Sequence, residues 1–233
     1  FSLATLEYAK QLNFRADIIR SNDWHTAMIP LYIKANYKFD EFWSKTKNVF
    51  EIHNLAYQGV WFEDILDFAN MRKDIVFNEW GCEHYGRVNW MKGAINYSDR
   101  VIAVSPTYAR EILTGEYGEG MDYTLRGHTD KLRGIVNGID YDVFNPKTDK
   151  TLIKNYDVNS LAKKEECKKK ILEYFGLKYN PERPLIALIS RLVDQKGLDL
   201  IRQVENDLRN LEADFIFLGS GDKSYENLVL WLS

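Results

Sequence analysis

KNVFEIHNLAYQG, residues 47–59, divides in its middle. Its first half carries Val49, Phe50 and Ile52, the apolar residues a buried strand needs. Its second half packs His53, Asn54, Tyr57, Gln58 and Gly59 into one loop. Three other stretches repeat this design: ADIIRSND (16–23), DRVIAVS (99–105) and KLRGIVNG (131–138), each apolar at first and polar where it ends. Between them the apolar spacing is helical. Leu3, Leu6, Ala9 and Leu12 share one face, residues 24–37 and 87–97 read as helices, and shorter helical stretches fall at 63–68 and 73–77. Ser105-Pro106 opens a further helix, PTYAREIL, with a cap followed by proline at the first helical position. Such alternation predicts an α/β fold with a doubly wound parallel sheet, whose ligands bind at the C-terminal strand ends. The polar loops would then share one sheet edge.

Beyond residue 140 the pattern loosens into the loop YDVFNPKTDK (141–150), a highly charged helix at 161–175 and the turn-rich YNPERP (179–184). A fresh series follows: strand PLIALISR (184–191), helix 198–208, strand ADFIFLGSG (213–221) and a final helix. The expected organisation is the C-terminal part of one Rossmann-like domain over 1–150, a charged helix and linker over 151–182, and the start of a second Rossmann-like domain over 183–233. The chain opens at Phe1 in a helical pattern and closes at Ser233 in another, so it reads as a segment of a longer protein.

Composition narrows the function. At 45% hydrophobic and 28% charged residues, the chain has a core and is not a disordered polymer. A net charge of −3 gives no bulk attraction for nucleic acid or an anionic membrane, so any anion site is local. No apolar run approaches the roughly 20 residues of a membrane span. Cys82 and Cys167 stand far apart and fit no metal spacing; reduced thiols and a cytoplasmic setting are expected.

Four stretches carry candidate chemistry. In RSNDWHT (20–26), Asp23 is either a helix cap, a role Asn22 could share, or a ligand contact. HNLAYQG (53–59) supplies donors, acceptors and a pliant backbone suited to a polyol such as a sugar. Asn137-Gly138 is a turn signal, but the following IDYDVFNP is no alternating strand, which leaves the Asn137 amide for a ligand. In ISRLVDQKGLDLI (189–201), Arg191 ends a strand and Lys196 stands at a helix start, the residue types a diphosphate needs. GSGDKSYE (219–226) lacks the third glycine of a dinucleotide fingerprint and reads first as a tight turn.

NDWHT, IHNLAYQGV, VSPTYAREI, YGEGMD, LRGIVNGIDYDVFNP and ISRLVDQKGLDLI, in this order and spacing, resemble the bacterial glycogen synthase and plant starch synthase family. The resemblance runs from about Asp17 to Gly221. It implies the two-domain GT-B fold and a retaining transfer of glucose from ADP-glucose to the non-reducing 4-OH of an α-1,4-glucan such as glycogen. Residue by residue it implies Asp23, His53 and Asn137 at the donor glucose, and Arg191 and Lys196 at the diphosphate. Gly219 joins the donor-binding set, and the catalytic set is His53, Asp23, Arg191 and Lys196. It implies no cofactor and no metal, the two cations standing in for one. Two family elements, an N-terminal Lys-Thr-Gly-Gly-Leu loop and a C-terminal segment with a catalytic-site Glu and a Thr-Gly-Gly-Leu loop, are outside residues 1–233. The chain by itself is therefore expected to be inactive. The alternatives are a non-catalytic remnant and a GT-B transferase with a small acceptor.

Overall fold

The computed structural model describes residues 1–232 and divides into two compact units, Phe1–Gly138 and Ile139–Ser233. The division falls at Gly138, so the 139–150 loop is counted with the second unit, whereas the expected organisation placed it with the first. Within the first unit, helix α1 (Ser2–Gln11) precedes strand β1 (Ile18–Asn22). The stretch expected as one helix over 24–37 is α2 (Asp23–Thr26), α3 (Met28–Leu31) and a π-helical turn, Tyr32–Asn36. Pro30 lies inside it, and a proline interrupts the backbone ladder there.

Strand β2 (Lys47–Ile52) is followed by β3 (Val60–Trp61), α4 (Ile65–Phe68), α5 (Lys73–Val76), β4 (Glu83–His84) and β5 (Arg87–Asn89). Helix α6 (Trp90–Tyr97) begins three residues later than its periodicity suggested, because Arg87–Asn89 pairs with β3 and β4 in a small antiparallel sheet. Asn89 marks the boundary: its side chain accepts from the Lys92 N–H at 2.9 Å and caps α6. Then come β6 (Arg100–Ala103), α7 (Pro106–Glu111), α8 (Asp122–Arg126) and β7 (Leu132–Gly134). Ser105 caps α7 as its sequence requires, accepting from the Tyr108 N–H at 2.9 Å.

The main sheet has order β1-β2-β6-β7, parallel throughout. Phe50, Ile52, Val101 and Ala103 of its two central strands are wholly buried beside Leu31, Trp90, Met91 and Ile95. At the sheet's edge β1 is half exposed, Ile18 at 63%, because an edge strand has one neighbour where a central strand has two. Cys82 lies in this core, its thiol 3.3 Å from the Val76 carbonyl, and burial pushes it up to about 12. Cys167 is partly exposed. Ellman's reagent at about pH 8 should therefore titrate Cys167 alone in the native chain and both thiols after denaturation, since only a thiolate reacts.

The second unit comprises α9 (Lys164–Tyr174), β8 (Leu185–Ile189), α10 (Leu198–Gln203), α11 (Glu205–Arg209), β9 (Asp214–Leu218) and α12 (Lys223–Leu232). The helix expected over 198–208 breaks at Val204. β8 and β9 pair in parallel, Leu185 opposite Asp214 through Ile189 opposite Leu218. A small core of Leu192, Leu198, Tyr225 and Leu228 lies at their end. Ile186 and Ile189 are 45% and 75% exposed, so this apolar strand is covered less than its sequence implies. Among the described residues, no helix is long and apolar enough to cross a membrane.

Candidate donor site at the strand ends

β1 and β2 run in parallel register, with Asn22 opposite Glu51, so the residues that follow them emerge side by side. Asp23 sits at the β1–α2 junction with φ of 52°, a left-handed conformation that aspartate tolerates better than most residues. Neither it nor Asn22 caps α2 through its side chain. The Asp23 carboxylate turns to the next strand instead: its Oδ1 accepts the backbone N–H of His53 at 2.9 Å and of Asn54 at 3.2 Å. The ring of His53 stands 3.0 Å from the Asn22 amide oxygen. The structure thus brings Asp23 and His53 together.

Three residues that sequence reasoning missed hold this pair and the loop that follows it. Glu51, almost fully buried on β2, pairs with Arg20 of β1 and lies 3.5 Å from His53 Nε2. Its signal was a charge inside the apolar run VFEI. Tyr108, delivered by α7, accepts the Leu55 N–H on its hydroxyl at 3.0 Å, pinning the loop after His53. Asn89 donates to the Gln58 amide oxygen at 2.6 Å, and Gln58 donates to the Glu119 carbonyl at 2.8 Å.

The segment 56–61 borders a groove of about 520 Å³ lined by Trp24, Tyr57, Gln58, Gly59, Trp61 and Glu119. Gly59 has φ of 67°, and a Cβ there would come within 2.7 Å of the Trp24 ring. Gly59→Ala should accordingly destabilise the first unit by about 1–3 kcal/mol, through the strained backbone and the displaced ring. Urea unfolding checks this; an unchanged midpoint would contradict it.

Asn137 follows β7 by three residues, on the same C-terminal edge of the sheet. The expected strand to 138 stops at Gly134; one further ladder bond, Ile135 N–H to the Ala103 carbonyl at 2.9 Å, closes it. Asn137 is exposed, and two strand intervals of about 4.8 Å separate β7 from β2. The structure does not join it to the Asp23–His53 pair by any hydrogen bond.

In the second unit the strand expected to end at Arg191 stops at Ile189, so Arg191 stands two residues beyond β8, and Lys196 ends a 3₁₀ turn, Asp194–Lys196. Between them Leu192 is 3% exposed and fixes the loop. Leu192 also donates its N–H to the Ser220 carbonyl and accepts from Asp222, which ties this loop to the one after β9. Gly219 permits that approach, since a Cβ there would lie 1.8 Å from the Ser190 carbonyl oxygen. The Tyr225 hydroxyl holds the Asp194 carboxylate. Arg191 and Lys196 themselves are exposed and have no acidic partner among the described residues, unlike Arg20, Arg126 and Arg183. Two cations bracket one anchored loop.

Comparison with known proteins agrees with this architecture. The profile of the starch synthase catalytic domain matches residues 1–127. A glycogen synthase of Thermotoga maritima is 48% identical over 227 residues, which is 97% of this chain and 46% of that protein. One from Thermosipho africanus is 45% identical, covering 98% and 47%. The solved catalytic domain of starch synthase IV from Arabidopsis thaliana, bound to ADP and acarbose, superposes with a TM-score of 0.92 at 34% identity, over 99% of this chain and 48% of that one. Parallel α/β units with polar loops at their C-terminal strand ends, on this likeness, are of the GT-B class of fold. The chain belongs to the starch synthase catalytic-domain family. It spans about half the length of the curated relatives that it matches.

Proposed function

We propose that this chain is part of a retaining glucosyltransferase that moves glucose from ADP-glucose to the non-reducing 4-OH of an α-1,4-glucan. The observation that carries the reading is the Asp23–His53 pairing at the C-terminal sheet edge, beside a groove lined by Trp24, Tyr57 and Trp61. Hydroxyl-rich ligands use such groups: carboxylate and imidazole for the hydroxyls, aromatic faces for the C–H surfaces. In this reading Asp23, His53 and Asn137 bind the glucosyl group. Arg191 and Lys196 meet the diphosphate, and Gly219 leaves room for the backbone there. The ADP bound by the Arabidopsis relative supports an adenosine diphosphate donor.

As the anomeric bond breaks, positive charge grows on the sugar ring and negative charge on the departing diphosphate. Unpaired Arg191 and Lys196 suit the second change, because cations fixed in advance need no rearrangement as charge develops. A metal is not required for that role in this scheme. The domain assignment follows the same reading: residues 1–150 belong to the N-terminal catalytic domain, 151–182 link, and 183–233 begin a second Rossmann-like domain. The setting is cytoplasmic.

A chimaera tests the proposal. This chain replaces the matching 227 residues of the Thermotoga maritima synthase, and ADP release is followed with ADP-glucose and glycogen. The expected result is release that needs both substrates and survives EDTA. Release that EDTA abolishes would overturn the metal-free scheme. A folded chimaera that transfers nothing would overturn the function.

A further inference from the structure

Glu51 puts a carboxylate where a covered strand is otherwise apolar, and its side chain is only 4% exposed. Burying a charge is costly unless pairing and hydrogen bonds offset it. Its Oε2 is taken by Arg20 of β1. Its Oε1 faces His53 Nε2 at 3.5 Å. An ion pair that only stitched two strands together would need the first contact and not the second.

Strand geometry accounts for the second. In the parallel register Asn22 lies opposite Glu51. Side chains two residues apart share a face of the sheet, so Arg20 and Asn22 of β1 stand beside Glu51 of β2. His53, two residues beyond Glu51, returns to that face. Its backbone is held separately: the Asp23 carboxylate accepts the His53 N–H. The ring meets oxygen, with the Asn22 amide oxygen 3.0 Å from Nε2 and the Glu51 carboxylate next to it. A carboxylate accepts and does not donate, so Nε2 is the nitrogen that carries the hydrogen. Nδ1 then keeps its lone pair. Among the described residues no hydrogen-bond donor occupies it, and 36% of the His53 side chain is exposed.

We infer that Glu51 is a positioning residue for His53: held by Arg20, it fixes the Nε2–H tautomer, so that Nδ1 presents an acceptor to a ligand hydroxyl. That this hydroxyl belongs to a sugar rests on the function proposed above. The tautomer rests on the geometry at the ends of β1 and β2.

Long-range ¹H–¹⁵N NMR of the 233-residue chain, at about pH 8 and so above the ordinary imidazole range, tells the two ring nitrogens apart. The chain has four histidines, and a His53→Gln spectrum assigns the signals of this one. His53 should be mainly Nε2–H. In Glu51→Gln the amide oxygen stays with Arg20, which turns the NH₂ group to His53 as a donor. Nδ1–H should then become the major form. The substitution conserves shape, and circular dichroism verifies the fold. An unaltered chain that is mainly Nδ1–H, or protonated on both nitrogens, overturns the proposal without any variant. A folded Glu51→Gln chain with the original tautomer also overturns it, and reduces Glu51 to a tie between strands. In the chimaera, Glu51→Gln should lower kcat/KM for ADP-glucose about tenfold, as loss of one hydrogen bond does. A switched tautomer with unaltered transfer overturns the sugar-facing role of Nδ1. An unsubstituted chimaera that transfers nothing overturns the proposed function instead, and the tautomer measurement still decides whether Glu51 positions the ring.

Discussion

Lys196→Ala, in the chimaera with the Thermotoga maritima synthase, lowers turnover by roughly 10²–10³-fold, the usual cost of losing one preorganised group at developing charge. The KM for glycogen should stay near its starting value. Lys196 is exposed and without an acidic partner, so its removal leaves no orphaned carboxylate and no cavity. Stability should change little for the same reason. Steady-state rates of ADP release at varied glycogen separate the possibilities. A raised KM with unchanged kcat would assign Lys196 to acceptor binding and contradict the leaving-group role. Arg191→Ala is expected to behave alike. Both sit on the loop that Leu192 anchors, so each can be removed without unseating the other.

Asp23 gives the second large effect, and two substitutions divide its roles. Asp23→Ala strips the acceptor from two backbone N–H groups and leaves alanine at φ of 52°. Unsatisfied donors cost about 1–3 kcal/mol, and the left-handed backbone costs about 1–2 kcal/mol more. Thermal or urea unfolding should register that loss. Asp23→Asn keeps an amide oxygen for both N–H groups, and asparagine accepts the left-handed backbone, so stability is preserved. Turnover nevertheless falls by about 10²–10³-fold if the carboxylate meets the sugar as proposed. Full activity in a stable Asp23→Asn chimaera would reduce Asp23 to a clasp between two loops.

The comparison between the two variants matters because the sequence left Asp23 poised between a helix cap and a ligand contact. Its carboxylate does neither job of a cap; it crosses to a loop thirty residues away. That choice depends on β1 lying beside β2 in parallel, which no local rule contains. Glu51 shows the same limit. One charge in an apolar strand reads as an irregularity until Arg20 and His53 arrive from either side.

Local chemistry, by contrast, was legible. The four strands of the main sheet lie where apolar runs end in polar residues, and Ser105-Pro106 starts α7 as a cap and a proline should. Order and spacing of the motifs sufficed to place the chain in its family. These features depend on neighbours a few residues apart, whose preferences for strand, helix or turn act before any tertiary contact forms. Tertiary structure decided the rest. It gave Arg87–Asn89 to a hairpin and not to a helix, because pairing with β3 and β4 outweighed helical spacing. It ended β7 at Gly134, broke the helices at 24–37 and 198–208, and left Ile18 and Ile189 exposed where their strands lack cover. The sequence by itself determined the elements and the polar residues that end them; which of those residues meet was decided by parallel register and packing, since both are set by contacts between residues far apart in the chain.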